Sequence, residues 1–380
     1  MKHLTILNKN AGGYTAQEQR KLHQILSEID GEIVATPDLA SLEYQLQKHR
    51  DFHPDILGIG GGDGTASQTL SLVHKVWGEF PRYLAPFAMG TMNNWAIPAG
   101  ASDGLVDKLK LMTGIGDTKP VQVGRYITQC AKAKEEPHTE ALALLDVNGR
   151  KGFNLGFGIV PKLVWTYYGK SIEQYQQLRE ELKYAKPDEY DAIFNGISSA
   201  QQNLKLIDIV TLAETSRKLG GINAVKAAVT AIKGVLFRSS KEYQFFSQPM
   251  NADIYLDGEK VILPSKPLGI YIASYEQSNI GLPLIAPRPS PGARSVAGKM
   301  EVLLTYATPQ EIVNSIPNIF AGKPIQNTHY YHARELRLES ETPLIGEVDA
   351  DFVFGQSFTV KYDQILKLIS LKKETLQEKK

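Results

Sequence analysis

The stretch DILGIGGGDGTASQTL, Asp55–Leu70, passes from an apolar run through four glycines (Gly60, Gly61, Gly62, Gly64) and one aspartate, Asp63, into a helical pattern. Ile56, Leu57 and Ile59 suit a buried strand, and Leu70, Val73 and Val76/Trp77 then recur on one helical face. A strand, a glycine loop and a helix in that order make one step of a layered α/β domain. Glycine lets the backbone approach a ligand closely, and the helix start that follows favours an anion.

The flanking sequence repeats this step. LTILN (Leu4–Asn8) reads as a first strand, and Leu22, Ile25, Leu26 and Ile29 mark a first helix. EIVAT, DLASLEYQLQKH and YLAPFAMGT continue the alternation, and ASDGLVDKLKLMTG closes it as an amphipathic helix. From about Val121 short strand-like segments take over: PVQVGRYI, EALALLDVNGRKGFNLGFG, EYQFFS, ADIYLDGEKVIL, LGIYIASY, KMEVLLTY, ARELRLES, IGEVDADFVF and SFTVKY. Turn signals at Asn148-Gly149 and Asp257-Gly258 join some of them into hairpins. The expected fold is therefore an N-terminal three-layer α/β domain (1–121) and a C-terminal antiparallel β-sandwich (122–360). Helical patterns over 171–185 and 219–237 interrupt the sandwich, and a final segment (361–380) is expected to pack back near the first domain and to end in a basic tail.

The 380 residues suffice for two cores, and a formal net charge of +1 gives no field that calls for nucleic acid. The lone Cys130 forms no intramolecular disulfide, which suits a reducing compartment, so the cytoplasm is expected. No run approaches the ~20 apolar residues that span a bilayer, so any membrane contact is expected to be peripheral. The oligomeric state stays open, a homodimer included.

Two familiar nucleotide loops fail on spacing. A dinucleotide G-x-G-x-x-G needs glycine where Asp63, Thr65 or Ser67 stands, according to register. The single Gly-Lys-Ser, Gly169–Ser171, has Val164 where a Walker loop begins with glycine.

GGGDGT (Gly60–Thr65), followed by PFAMGTMNNWA (Pro86–Ala96) and preceded by NKNAGG (Asn8–Gly13), resembles the catalytic domain of the diacylglycerol kinase and sphingosine kinase superfamily. FNLGFGIVPKLV, KMEVLLTY and VDADFVFGQSFTVKYDQILKLI carry the resemblance downstream, with PVQVGRY in the place of a hinge strand. NAD kinases share GGDGT, but their further glycine signatures are missing here.

The resemblance implies an ATP- and Mg²⁺-dependent lipid kinase. Asn8, Gly12 and Gly13, then Gly61, Gly62, Asp63, Gly64 and Thr65, would cradle the phosphates. Gly90, Thr91 and Asn93 would complete the nucleotide cleft. Asp63 would be the metal-side carboxylate, direct or through water. A lipid hydroxyl would enter between the domains and give its proton to a carboxylate.

Three clusters compete for that last role. Asp257-Gly258-Glu259 reads as a hairpin turn, Glu347 is out of register, and Asp351 in Val348-Asp349-Ala350-Asp351 fits best. Gln122, Asn94 and Ala297 stand where the family offers acidic residues, and Asp351 replaces its glutamate. These departures leave two alternatives to a diacylglycerol kinase. One is a catalytically weak homologue that senses nucleotide or lipid, and the other is a kinase for sphingoid, ceramide or soluble acceptors. HYYH (His329–His332) reads as a strand edge, and Arg288, Arg294 and Lys299 as a basic surface loop that could clamp a head group.

Overall fold

A computed structural model describes residues 1–11, 16–90, 93–102, 117–167, 170–199, 240–274, 298–315, 325–349 and 351–372. Gly12, Gly13, Thr91, Arg288, Arg294, Ala297, Ala350, the 219–237 helical pattern and the basic tail lie outside the described residues.

The N-terminal alternation is present as read through its fourth strand, whereas the ASDGLVDKLKLMTG helical pattern lies outside the described residues from position 103 onward. β1 (His3–Asn8), β2 (Gly31–Thr36), β3 (Ile56–Gly61) and β4 (Tyr83–Ala88) are parallel in the order β4-β3-β1-β2. They are joined by α1 (Ala16–Leu26), α2 (Leu39–Lys48) and α3 (Asp63–Trp77). β3 is central and buried at every position, which is why it reads as a continuous apolar and glycine run. Asp38 caps α2 by accepting from the Ser41 N–H at 2.7 Å, and Gly78 ends α3 in the left-handed conformation.

PVQVGRYI is not a strand. It lies in α4 (Lys119–Ala133), entered through Thr118 with a proline in the first turn. Pro120, Val123, Gly124 and Ile127 recur at helical spacing, and a side chain on Gly124 would meet Leu22 of α1. The alternating valines imitate a strand, and packing on α1 decides for helix.

The C-terminal region is antiparallel and strand-rich. It comprises β5 (Thr139–Val147), β6 (Arg150–Gly152), β7 (Asn154–Gly158), β8 (Asp253–Leu256), β9 (Glu259–Lys260), β10 (Gly269–Ala273), β11 (Met300–Thr305) and β12 (Thr328–Ala333). Two long strands complete it, β13 (Glu335–Val348) and β14 (Asp351–Ile369). β13 pairs with β8 over Leu336–Glu339 and with β7 over Gly346–Val348, on either side of an irregularity between Glu339 and Leu344. The sheet folds across this bend. Leu336, Leu338 and Val360 from one part then share a core with Phe157, Ile270, Ile272 and Val302 from the other.

Helices α5 (Ile159–Tyr167), α6 (Ile172–Leu182), α7 (Tyr190–Ser199) and α8 (Lys241–Ser247) build a third core with Trp165, Tyr175, Leu178 and Phe245. α9 (Pro309–Asn314) follows β11. EYQFFS lies within α8 and is not a strand: Ser240 caps its first turn and Phe245 and Phe246 are both buried. Among the described residues no helix is long and apolar enough to cross a membrane.

β14 joins the two regions. It pairs antiparallel with β13 and β5, and at Leu368↔Leu84 it runs parallel to β4. Leu371 N–H then bonds the Ala99 carbonyl at 2.9 Å, so the strand's far end is fastened to the N-terminal region.

Candidate active site

Gly60 and Gly61 end β3, Gly62 occupies the cap position of α3, and Asp63 begins the helix. The N–H groups of the first turn have no acceptor inside the helix, and they carry its positive end. The neighbouring loop comes very close. A Cβ on Gly90 would collide with the Cα of Gly62 and stand 2.8 Å from its nitrogen. Two backbones without side chains thus lie together at the strand ends, the place where open α/β sheets bind ligands.

The other predicted loop residues meet here. The Asn8 amide donates to Thr65 Oγ1 at 2.9 Å, and its oxygen accepts from the Asn10 N–H at 2.8 Å. A side chain on Gly61 would collide with Thr65, so this glycine lets the β3–α3 turn close. Asn93 is left-handed (φ 53°), and its amide exchanges two hydrogen bonds with the Gly90 backbone, at 2.7 and 2.9 Å. Asparagine tolerates that conformation and closes the turn on itself.

Asp63 is only 5% exposed. Its Oδ1 accepts from the Trp95 N–H at 3.0 Å, and Asn94 donates to the same carboxylate through both backbone and side chain. Burial pushes its pKa up to about 7, and the donated hydrogen bonds oppose the rise. Asn94, where the family often has aspartate, is thus the amide partner of this carboxylate. Gln122 lies on α4, its amide bonded to the Asp117 carbonyl at 2.9 Å.

A second buried carboxylate faces this one. Asp349, 1% exposed and left-handed (φ 51°), follows β13 and accepts from the N–H groups of Phe153 (2.9 Å) and Asn154 (3.0 Å). Burial, then the charge of Asp63, hold its pKa well above the usual carboxylate range. The Trp95 and Phe153 rings stack at 6.3 Å with 9° between planes, while their N–H groups bind Asp63 and Asp349 respectively. That stack joins Trp95, which follows β4, to Phe153 between β6 and β7. In the sequence Asp349 is visible only as part of a register for Asp351; its burial depends on contacts about 200 residues away.

Asp351 reaches the same point. Both of its carboxylate oxygens, and the Asp349 carbonyl, lie 3.3 Å from where a Cβ on Gly64 would stand. Its side chain is 34% exposed, and Oδ2 accepts from Gln68 Nε2 at 2.7 Å and from Arg150 at 2.5 Å. The structure therefore brings Asn8, Gly61–Thr65, Gly90, Asn93 and Asp351 together.

The competing clusters fall elsewhere or serve other ends. Asp257 is left-handed in the β8–β9 turn and accepts the Arg334 and Glu335 N–H groups at 2.7 and 2.9 Å, as a hairpin residue does. Glu347 is a buried neighbour of Asp349. His329 and His332 lie on β12, and no described group of three acidic, histidine or cysteine residues could hold a metal ion.

The residues suit a hard cation in chemistry more than in number. Asp63 and Asp349 supply oxygen donors that no described cationic side chain pairs with. Mg²⁺ is commonly held by one or two carboxylates, with water and phosphate oxygens completing its six positions. Asp63, at the head of α3, is the residue that would hold it, and the remaining ligands would come from water and nucleotide.

Residues 2–126 match the family model of the diacylglycerol kinase catalytic domain. No curated protein matches the chain. A solved structure described as a candidate diacylglycerol kinase of Bacillus anthracis strain Sterne superposes with a TM-score of 0.58 at 15% identity, covering 97% of this chain and 96% of that one. Another from the same strain, described as a diacylglycerol kinase, gives 0.53 at 13% identity over 97% and 96%. At such identity the likeness is one of fold, and it extends through both regions.

Proposed function

We propose, from the premise that residues 2–126 carry the diacylglycerol kinase catalytic-domain pattern, that this protein is an ATP- and Mg²⁺-dependent lipid kinase. Its acceptor is a hydroxyl of diacylglycerol or a related lipid. The carrying observation is the meeting of Gly64, at the start of α3, with Asp351 from the other domain. A phosphate cradle and a carboxylate are then within one site.

Phosphoryl transfer asks chiefly for positioning and for neutralisation of the charge on the moving group. The first-turn N–H groups of α3 and the Gly90 loop would hold the phosphates. Mg²⁺, when bound, supplies positive charge at the phosphate oxygens. Asp351 would take the proton of the acceptor hydroxyl as its oxygen bonds to the γ-phosphorus, and the bond to ADP would break. The aromatic group of Trp165, Phe194, Phe352 and Phe354 begins one residue after Asp351, which suits an acceptor with an apolar body.

The test is transfer of labelled phosphate from ATP to diacylglycerol, monoacylglycerol, sphingosine, ceramide and water-soluble alcohols in mixed micelles. A phosphorylated lipid is expected. Folded protein that labels no acceptor with any divalent metal refutes the kinase reading.

A second reading, a nucleotide- or lipid-binding sensor, is favoured by the occupied state of the carboxylates: Asp63 is tied to Asn94 and Trp95, and Asp351 to Arg150 and Gln68. Thermal stabilisation by ATP with Mg²⁺ but no turnover would select it. A ligand at 100 times its Kd adds about 2.7 kcal/mol of apparent stability.

A further inference from the structure

Arg150 follows the Asn148-Gly149 turn and would be an ordinary hairpin arginine if the hairpin stood alone. Instead β6 lies on α3. Two serines one helical turn apart hold the backbone of the next residue: Ser67 Oγ donates to the Lys151 carbonyl at 2.5 Å, and Ser71 Oγ accepts its N–H at 2.9 Å. From the opposite side, the buried Lys151 ammonium bridges Asp146 (2.7 Å) on β5 and Asp363 (2.9 Å) on β14. Position 150 is thereby fixed between the two domains.

From that position the guanidinium reaches Asp351 Oδ2 at 2.5 Å while its Nε lies 3.4 Å from Ser67 Oγ. Gln68, one residue on from Ser67, donates to the same Oδ2 at 2.7 Å. Among the described residues Oδ1 accepts nothing.

We propose that Arg150 and Gln68 are positioning residues for Asp351: they pin Oδ2 and so present Oδ1 to the acceptor hydroxyl. A carboxylate with two donors on one oxygen loses rotation about its last bond, and the proton then goes to the oxygen left open. An arginine suits the task because its planar fork stays charged and holds direction. Two hydrogen bonds also fix a side chain one methylene shorter than glutamate, whose reach must come from an exact approach of β14 to α3. The inference rests on the kinase reading and adds to it the two residues that set the reacting carboxylate.

The experiment is steady-state kinetics of the full chain with the acceptor lipid and ATP, comparing wild type with Arg150→Ala, Arg150→Lys, Gln68→Ala and Asp351→Ala. Displacing a reacting group by an ångström costs about 100-fold in rate. Arg150→Ala should lose kcat on that scale while the KM for ATP stays near wild type, and Gln68→Ala should lose less. Arg150→Lys should recover part of the loss, and millimolar guanidinium ion should restore Arg150→Ala but not Asp351→Ala. A folded Arg150→Ala with wild-type kcat, or one that neither lysine nor guanidinium improves, overturns the proposal. Wild type that phosphorylates nothing overturns the kinase reading and this inference together, whereas active wild type beside an unaffected Arg150→Ala overturns this inference alone.

Discussion

Gly64 and Asp351, 287 positions apart in sequence, lie so close that a methyl group on the glycine would stand 3.3 Å from both carboxylate oxygens. The same methyl would touch the Asp349 carbonyl, which cannot rotate away. Alanine is otherwise favoured in a helix by up to about 1 kcal/mol over glycine. Gly64→Ala should therefore leave the melting temperature within a few degrees of wild type, with kcat reduced at least about tenfold. Kinetics and a thermal melt on the same preparation check both halves.

Gly90 meets backbone where Gly64 meets mainly a side chain. Its missing Cβ leaves room for the Cα and nitrogen of Gly62, and neither can move without shifting the start of α3. Overpacking of this kind costs about 1–3 kcal/mol or more. Gly90→Ala should lower the urea midpoint and weaken ATP-dependent thermal stabilisation, whereas Gly62→Ala, whose Cβ would lie 3.2 Å from Gly90 Cα, should do so less.

For Asp63 the two obvious substitutions separate. Asparagine keeps an oxygen for the Trp95 N–H, while alanine leaves that buried donor without its partner, a cost of about 1–3 kcal/mol. Both variants should abolish phosphate transfer. Only Asp63→Ala should also melt earlier, so Asp63→Asn is the cleaner test of the carboxylate's role.

Glu301, on β11 opposite Ala273 and His332 with Tyr330 nearby, is buried, and burial raises its pKa from 4.5 to about 7. The folded state thus holds this proton more tightly than the unfolded chain. Between about pH 4.5 and 7 folding takes up a proton, so this residue's contribution to stability falls as pH rises through that window. Glu301→Gln should melt above wild type at about pH 8, and the difference should disappear by about pH 4. Parallel melts of the two proteins across this range read it directly.

The strand–helix alternation of β1 to β4 and the glycine loop between β3 and α3 are legible because short-range pattern sets them: apolar strands, helical spacing, turn glycines. PVQVGRYI and EYQFFS deceive for a shared reason. Alternating valines and paired aromatics favour a strand when the neighbours are unknown, but Leu22 of α1 and the helical core around Trp165 draw their apolar faces into helices. The site divides in the same way. Gly61–Thr65 announces itself by its glycines at a strand end, and Gly90–Asn93 by its resemblance to the kinase family. Arg150, Gln68 and Asp349 do not, because their roles arise only when β6 and the β13–β14 turn are laid on α3.

β14 carries a consequence for how the molecule comes into being. Its first residue is Asp351 in the site, and Leu368 near its end pairs with Leu84 at the margin of the N-terminal sheet. A sheet whose strands are made by residue 88 must therefore wait some 280 residues for that neighbour. During synthesis the N-terminal domain leaves the ribosome with β4 uncovered, and long-range pairing of this sort is slow and prone to misassociation. Gly64 and Asp351 are thus brought together late, and a nascent chain halted before residue 351 would have the Gly60–Gly64 loop without the carboxylate that lies against it.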